Sequence, residues 1–394
     1  MREITLQDSA ISKLKAPCSN FKIDVIKDSI KSFKPGEWVI VLDKKGNESY
    51  LGFVNPSVEE KFPCLNVVGN KKQYSNPELL IEDRIKKAIQ WRKKIKGYHE
   101  CGRMIFGFAD QLPGIIVDSY KNCVLVQINN AGFDSYRDYI KKILVQELGK
   151  VVVFWDQEKE RLKEHLPIFE KEIPIDHLMI EENNFVLKLD ISKAQKVGYY
   201  YDHRENRKAL NRILLDFNFT SKNTVDLFSY LGSWAMSSLK AGSEFVTMVD
   251  QGDFLSQTEE NFKEYKNKFK FLRDDVFKFL DKSLQDNQKY DLVISDPPAF
   301  AKSLAQASQA KVGYDKLHQK VFRVLAPEAI VVFASCTHYY SQQEMSTSIY
   351  EAAKRERKKI RLLHQGLQGF DHPIATLNDS SNYIKCLIYY VENL

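Results

Sequence analysis

The chain has 394 residues, 43% hydrophobic and 28% charged, with a formal net charge of +6 and a pI near 8.7. That length exceeds one ordinary core and predicts two or three globular domains. No apolar run reaches membrane-spanning length, and MREITLQDSAISKLK at the start lacks the apolar centre of a secretory leader, so a cytoplasmic protein is expected. Cys18, Cys64, Cys101, Cys123, Cys336 and Cys386 show no CxxC spacing, which argues against a disulfide framework and a zinc site. His99, His165, His177 and His372 form no ligand pattern either, and no metal is expected. The mild basicity is compatible with a polyanionic partner without requiring one.

Residues 1–75 read as a small β module. In KPGEWVIVLDKKGNESYLGFVNP (34–56) a Pro-Gly turn leads into an apolar strand. A turn at Lys45-Gly46-Asn47 follows, then a second strand ending at Asn55-Pro56. Residues 76–184 read as a mixed α+β region that opens with a helix over 81–96. There Ile81, Ile85, Ala88, Ile89 and Ile95 recur at helical spacing, so one face packs while the bases project outward. Across EDRIKKAIQWRKKIKGYHECGR (82–103) eight Lys or Arg face three acids. The exposed bases, Arg92 and Lys93 among them, form either a solvated face or a phosphate contact surface. Further on, Leu112-Pro113-Gly114 separates strand-like runs, and a helix over 134–148 precedes a strand over 151–155. No internal repeat is present.

From about residue 185 the pattern changes. Short apolar runs at 224–228, 246–250, 269–275, 290–296 and 329–335 alternate with helical stretches such as 203–215, 254–267 and 314–325. This alternation predicts an α/β domain over 185–394 on a parallel, doubly wound sheet, with its ligand beyond the carboxyl ends of the strands. Three runs finish on an acid, at Asp250, Asp275 and Asp296, and Asp226 lies in the first. Any single acid could merely cap the next helix. Three in register mark a polar edge.

A nicotinamide cofactor would want GxGxxG after the first strand, but the loop DLFSYLGSWAMSS (226–238), which holds Asp226 and Phe228, has only Gly232. S-adenosylmethionine suits the acids better. Its ribose offers two hydroxyls to Asp250, its adenine amino group can donate to Asp275, and Gly232 would let the backbone approach the methionine part.

Asp-Pro-Pro followed by AFAKS after the fourth run, and Ser-Cys-Thr-His after the fifth, resemble the bacterial 23S rRNA cytosine-C5 methyltransferases of the RlmI type. KVGYYYDHRENR (196–207), FGFADQLPGIIVDSY (106–120), DHP (371–373) and YIK (383–385) are similar to further signatures of that family. The resemblance covers most of the chain. It implies a PUA-like RNA-binding domain over 1–75, a middle domain over 76–184 and a Rossmann-like, class I methyltransferase domain over 185–394. It also implies S-adenosylmethionine as cofactor, 23S rRNA or the large ribosomal subunit as partner, a homodimer, and Gln195 and Arg204 near the cofactor and the entering base.

Carbon 5 of cytosine is a poor nucleophile. A thiolate added to carbon 6 gives carbon 5 enamine character, and it can then take a methyl group. Cys336 ends the fifth strand and Asp296 the fourth, so both are expected to face one base. A buried, inert thiol is the alternative for Cys336 taken alone. A thiolate needs a positive neighbour, for which His338, Lys302 and Arg204 are candidates. One ring of Tyr199, Tyr200 and Tyr201, with Tyr200 preferred, is expected to stack on a base, with Arg204 and Lys302 beside the RNA. The chain departs from the family pattern at Val197, His203, Leu231 and Ser233. Ala299 stands where many RNA cytosine methyltransferases carry a second cysteine. It also disfavours amino-group methylation, which usually places an aromatic residue there. The alternative from another class is a non-catalytic RNA-binding or ribosome-assembly protein on a methyltransferase fold.

Overall fold

A computed structural model describes the chain except residues 16–17, 44–47, 99, 171, 195–197, 378 and 380, so the turn expected at Lys45-Gly46-Asn47 lies outside the described residues. Two compact units are present. One comprises residues 1–178, 191–199 and 371–373, the other 179–190, 200–370 and 374–394.

In the first unit, β1 (Arg2–Thr5), β2 (Ser19–Phe21), β3 (Glu37–Leu42), β4 (Ser49–Val54) and β5 (Leu65–Asn70) form a sheet of order β1-β3-β4-β5-β2. A second sheet, β6-β7-β8-β9, is built from β6 (Gly102–Phe106), β7 (Ile115–Ser119), β8 (Cys123–Ile128) and β9 (Val151–Phe154). The boundary expected near residue 75 falls inside this unit. Trp38, Leu51 and Phe53 share one apolar cluster with Ile81, Ile115 and Phe133, and the Trp38 indole donates to the Gly132 carbonyl at 2.8 Å.

The expected helix spans Pro77–Lys93. Asn76 caps it by accepting from the Leu79 amide, and Pro77 occupies the first turn, where no amide hydrogen is needed. Ile81, Ile85, Ala88 and Ile89 are buried as the periodicity predicts, whereas Ile95 lies beyond the end of the helix and is only half-buried. Arg92 corrects the reading. It is fully buried, pairs with both Asp110 oxygens at 2.5 and 2.7 Å, and donates to the Asp371 carbonyl at 2.8 Å. It is therefore not on the exposed basic face. Lys93 is exposed, and its ammonium donates to the Glu147 carbonyl.

In the second unit, β10 (His177–Glu182) and β11 (Phe185–Asp190) form a two-stranded ribbon. The main sheet contains β12 (Thr224–Leu227), β13 (Val246–Asp250), β14 (Phe269–Arg273), β15 (Tyr290–Ser295), β16 (Leu325–Ser335), β17 (Lys358–Gly366) and β18 (Lys385–Asn393), in the order β14-β13-β12-β15-β16-β18-β17. The five expected strands are parallel, as predicted. β18 is not: it runs antiparallel between β16 and β17.

Side-chain alternation puts one apolar layer on each face of this sheet. Val225, Val293, Val331 and Phe333 pack towards the helices Val276–Gln285, Ala307–Val324 and Gln342–Arg355. Leu292, Ile294, Ile330, Val332 and Cys386 pack towards Leu210, Leu214 and Trp234 of the helices Arg204–Asp216 and Ser233–Lys240. With both faces covered, the exposed chemistry is confined to the edge where the parallel strands end. Among the described residues no helix is long and apolar enough to cross a membrane, and no group of three or more His, Cys, Asp or Glu could hold a metal ion.

Candidate active site

β12 reverses the sheet order and ends in a strained loop. Phe228 and Tyr230 have φ of 60° and 50°, in the left-handed region that disfavours bulky residues, and Gly232 has φ of 75°. Asp226 is fully buried on β12. One oxygen accepts from the Ala235 amide at 3.0 Å, and the other has no hydrogen-bond partner. Burial pushes its carboxyl well above the usual range, and the carboxylates of Asp296 and Asp250 push the same way. The buried Ser229 hydroxyl is likewise without a partner. Gly232 is required by its positive φ and because a Cβ there would stand 2.5 Å from the Met248 sulfur and 2.9 Å from the Phe262 ring.

Asp250 ends β13 and holds this loop, accepting from the Tyr230 amide at 2.9 Å and the Gly252 amide at 2.7 Å. Asp275 caps the helix Val276–Gln285 through the Lys278 amide and accepts from the Gln251 side chain at 2.8 Å. The capping role is thus realised at Asp275, although each carboxylate oxygen keeps a second lone pair.

β15 and β16 run side by side with Ser295 paired to Phe333, so Asp296 and Cys336 leave neighbouring strands at the same edge. Asp296 accepts from the Trp234 indole at 2.9 Å, and His203 Nε2 stands 3.5 Å from its other oxygen. The Asn206 amide that donates to the Leu367 carbonyl also faces His203 Nδ1 at 3.1 Å, which makes Nδ1 the acceptor and leaves the proton on Nε2, although Nε2 makes no hydrogen bond to Asp296. His203, a departure from the family pattern, therefore stands beside the candidate acid.

The loops after the two residues are joined. The Thr337 hydroxyl accepts from the Phe300 amide at 3.2 Å and shares a 2.6 Å hydrogen bond with Tyr314, whose ring stacks on Tyr340. Of the three tyrosines, Tyr199 and Tyr201 are core residues, while Tyr200 is half-buried against Tyr230, which in turn meets Phe254 edge-on. Burial raises the Tyr200 phenol, and Asp202, Cys336, Asp296 and Asp250 add to the shift. The ring is therefore neutral and lies within electrostatic reach of the thiol and three carboxylates.

Three expectations fare differently. Arg204 is buried, 3.6 Å from Glu182 and over the Tyr201 ring, and so is not exposed to a nucleic acid. Lys302 is exposed in the loop after Asp296. Gln195 lies outside the described residues. Sequence reasoning missed Trp234, Asp202 and Lys385. Asp202 accepts from the Tyr383 hydroxyl at 2.8 Å, and Lys385 is taken up below. Asp202 lies in the 196–207 signature and Lys385 in YIK, and those were the only hints. With Trp234→Phe, Asp296 loses a charge-assisted hydrogen bond of about 1.5–3 kcal/mol. The expected result is a fall in kcat/KM of roughly ten- to a hundredfold, read by initial rates.

Residues 160–342 match the family model described as S-adenosylmethionine-dependent methyltransferase. The crystal structure of SMU.776 complexed with SAH has the same fold, with a TM-score of 0.77 at 17% identity, covering 99% of this chain and 100% of that one. Fold and site thus define an S-adenosylmethionine-dependent methyltransferase.

Ribosomal RNA large subunit methyltransferase I of Aeromonas salmonicida (strain A449) is 32% identical over 314 residues, 75% of each chain. The protein of the same name from Cronobacter sakazakii (strain ATCC BAA-894) is 30% identical over 363 residues, 89% of each chain. The chain belongs to the ribosomal RNA large subunit methyltransferase I family.

The edge fits the cofactor's chemistry. The unpartnered Asp226 oxygen and Ser229 hydroxyl offer acceptors suited to an ammonium, and Asp250 retains lone pairs for ribose hydroxyls.

Proposed function

We propose that the protein methylates carbon 5 of a cytidine in 23S rRNA through a covalent bond between Cys336 and carbon 6. The observation that carries this reading is the exit of Cys336 and Asp296 from adjacent parallel strands, with Tyr200 within electrostatic reach of both. When bound, S-adenosylmethionine supplies an electrophilic methyl group on a sulfonium. The Cys336 sulfur bonds to carbon 6, and the double-bond electrons pass to carbon 5, which takes the methyl group. Removal of the carbon 5 proton then re-forms the double bond and expels the sulfur as thiolate. Asp296, held by Trp234 with His203 beside it, offers a fixed carboxylate to the polar edge of the ring. Tyr200 offers a face on which a flipped base can stack, and the prolines at 297 and 298 stiffen the slot beside it.

Asp226, Phe228, Gly232 and Asp250 would hold the cofactor, with Asp275 at its adenine end. Residues 1–75 would serve as a PUA-like RNA-binding module, with exposed Lys93 and Lys302 as phosphate contacts. The family resemblance supports a homodimer acting on the large subunit's rRNA in the cytoplasm. The decisive experiment is mass-spectrometric mapping of rRNA from cells with and without the gene. Loss of one 5-methylcytidine is expected, restored by the purified protein and S-adenosylmethionine. Loss of an amino-group methyl instead would overturn the covalent chemistry.

A further inference from the structure

We propose that Lys385 is a positioning residue: its ammonium holds Cys336 in the thiolate form. The inference rests on the reading of Cys336 as the nucleophile. β18 runs antiparallel to β16 with Lys385 directly opposite Ser335, so the lysine enters the Cys336 loop from the neighbouring strand. It is 8% exposed, and its Nζ donates to the Thr337 carbonyl at 2.6 Å, on the residue adjoining Cys336. Burying an ammonium is costly unless an anion or a converging set of acceptors repays it. The Thr337 carbonyl is one neutral acceptor.

The charged and titratable groups around the pair identify the anion. Lys385 interacts electrostatically with Cys336, Glu344 and His338. Glu344 is already committed to the helix cap: Ser341 donates to it from its amide at 2.9 Å and its hydroxyl at 2.8 Å, and Lys311 stands 3.9 Å away. Burial, then Lys385, lowers His338, so the imidazole next to the thiol is neutral. Tyr200 and Tyr314 also interact with Cys336, and both are raised by burial and therefore neutral. Tyr314 is further fixed by Ser335 and Thr337. The Lys385 ammonium thus stands beside the thiol together with these neutral rings; the thiol proton leaves to solvent while the sulfur keeps the electron pair.

The three cations anticipated from the sequence do not fill this place. Arg204 faces Glu182, Lys302 is exposed, and His338 is neutral.

Burial pushes Lys385 itself down to about 8, with Cys336 and Glu344 pushing back up. The ammonium, and with it the support for the thiolate, is present below that pH and is lost as pH rises through it.

The test is the pH profile of Cys336 alkylation by iodoacetamide in the full-length protein, read peptide by peptide by mass spectrometry, with no RNA present. Lys385→Gln keeps a donor for the Thr337 carbonyl but removes the charge, whereas Lys385→Arg keeps the charge. At pH 7 the Gln variant is expected to alkylate roughly tenfold or more slowly, its midpoint displaced upward by about one unit or more. The Arg variant, whose charge does not titrate, is expected to match the wild type below about pH 8. Thermal unfolding of both variants identifies any loss of fold. An unchanged midpoint in folded Lys385→Gln would overturn the proposal, as would equal displacement in the Gln and Arg variants. Failure of the nucleophile reading shows elsewhere: Cys336→Ala would keep its methyl transfer whatever the alkylation profile of the Lys385 variants.

Discussion

Cys336→Ala is expected to abolish methyl transfer from radiolabelled S-adenosylmethionine to rRNA, by on the order of a thousandfold or more, while the affinity for the cofactor stays unchanged. The size follows from the chemistry. Without a bond to carbon 6, carbon 5 has no enamine character and the methyl group has no competent acceptor, so the whole advantage of the covalent route is lost rather than a fraction of it. The unchanged affinity follows from the placement. The groups suited to the cofactor stand at the ends of β12, β13 and β14, whereas Cys336 stands beyond β16, two strands from β12 with β15 between. The folded state should also tolerate the change, because the side chain is half-buried and sits beyond the end of its strand rather than in either apolar layer. Transfer assays and calorimetry with S-adenosylmethionine measure the two quantities separately. Retained transfer with intact cofactor binding would move the nucleophile elsewhere, and loss of both would make Cys336 part of the cofactor pocket.

The sheet was largely legible because each parallel strand is a short apolar run bounded by polar residues. The predicted 224–228, 246–250 and 290–296 fall on β12, β13 and β15 within a residue. The acids at the edge were legible for the same reason: a strand buried on both faces tolerates charge only where it ends. What stayed hidden depended on contacts distant in sequence. CLIYYV (386–391) reads as a strand, but nothing local says that it inserts antiparallel between β16 and β17, and that insertion alone carries Lys385 to Cys336. His203 looked like a departure from a motif. Its place beside Asp296 depends on Asn206 and Leu367, whose roles only the folded chain reveals. Gly232 was marked as a position needing a glycine, and its positive φ together with the Met248 and Phe262 side chains beside it adds a packing reason that only the folded chain shows.

Arg92 is the case where a signal was present and charge overruled it. Ile81, Ile85, Ala88 and Ile89 define a stripe on which the next position is residue 92, one turn further along the same face. A guanidinium can lie on such a stripe when its five donors are matched, and here Asp110 takes two, with the carbonyls of Asp371, Arg103 and Ala88 close to the rest. Arg92→Ala should therefore lower the stability of the protein by about 3–5 kcal/mol, chiefly because the Asp110 carboxylate, itself almost fully covered, is left without its counter-charge. Arg92→Lys should recover only part of this, since a point charge cannot reproduce the two parallel bonds to Asp110. Lys93→Ala, on the exposed side of the same turn, should change stability by no more than about 0.5 kcal/mol. Chemical denaturation of the three variants measures the differences. Should Arg92→Ala instead unfold like the wild type and lose only its affinity for RNA, the buried ion pair would not exist in solution and the outward-facing placement would be restored.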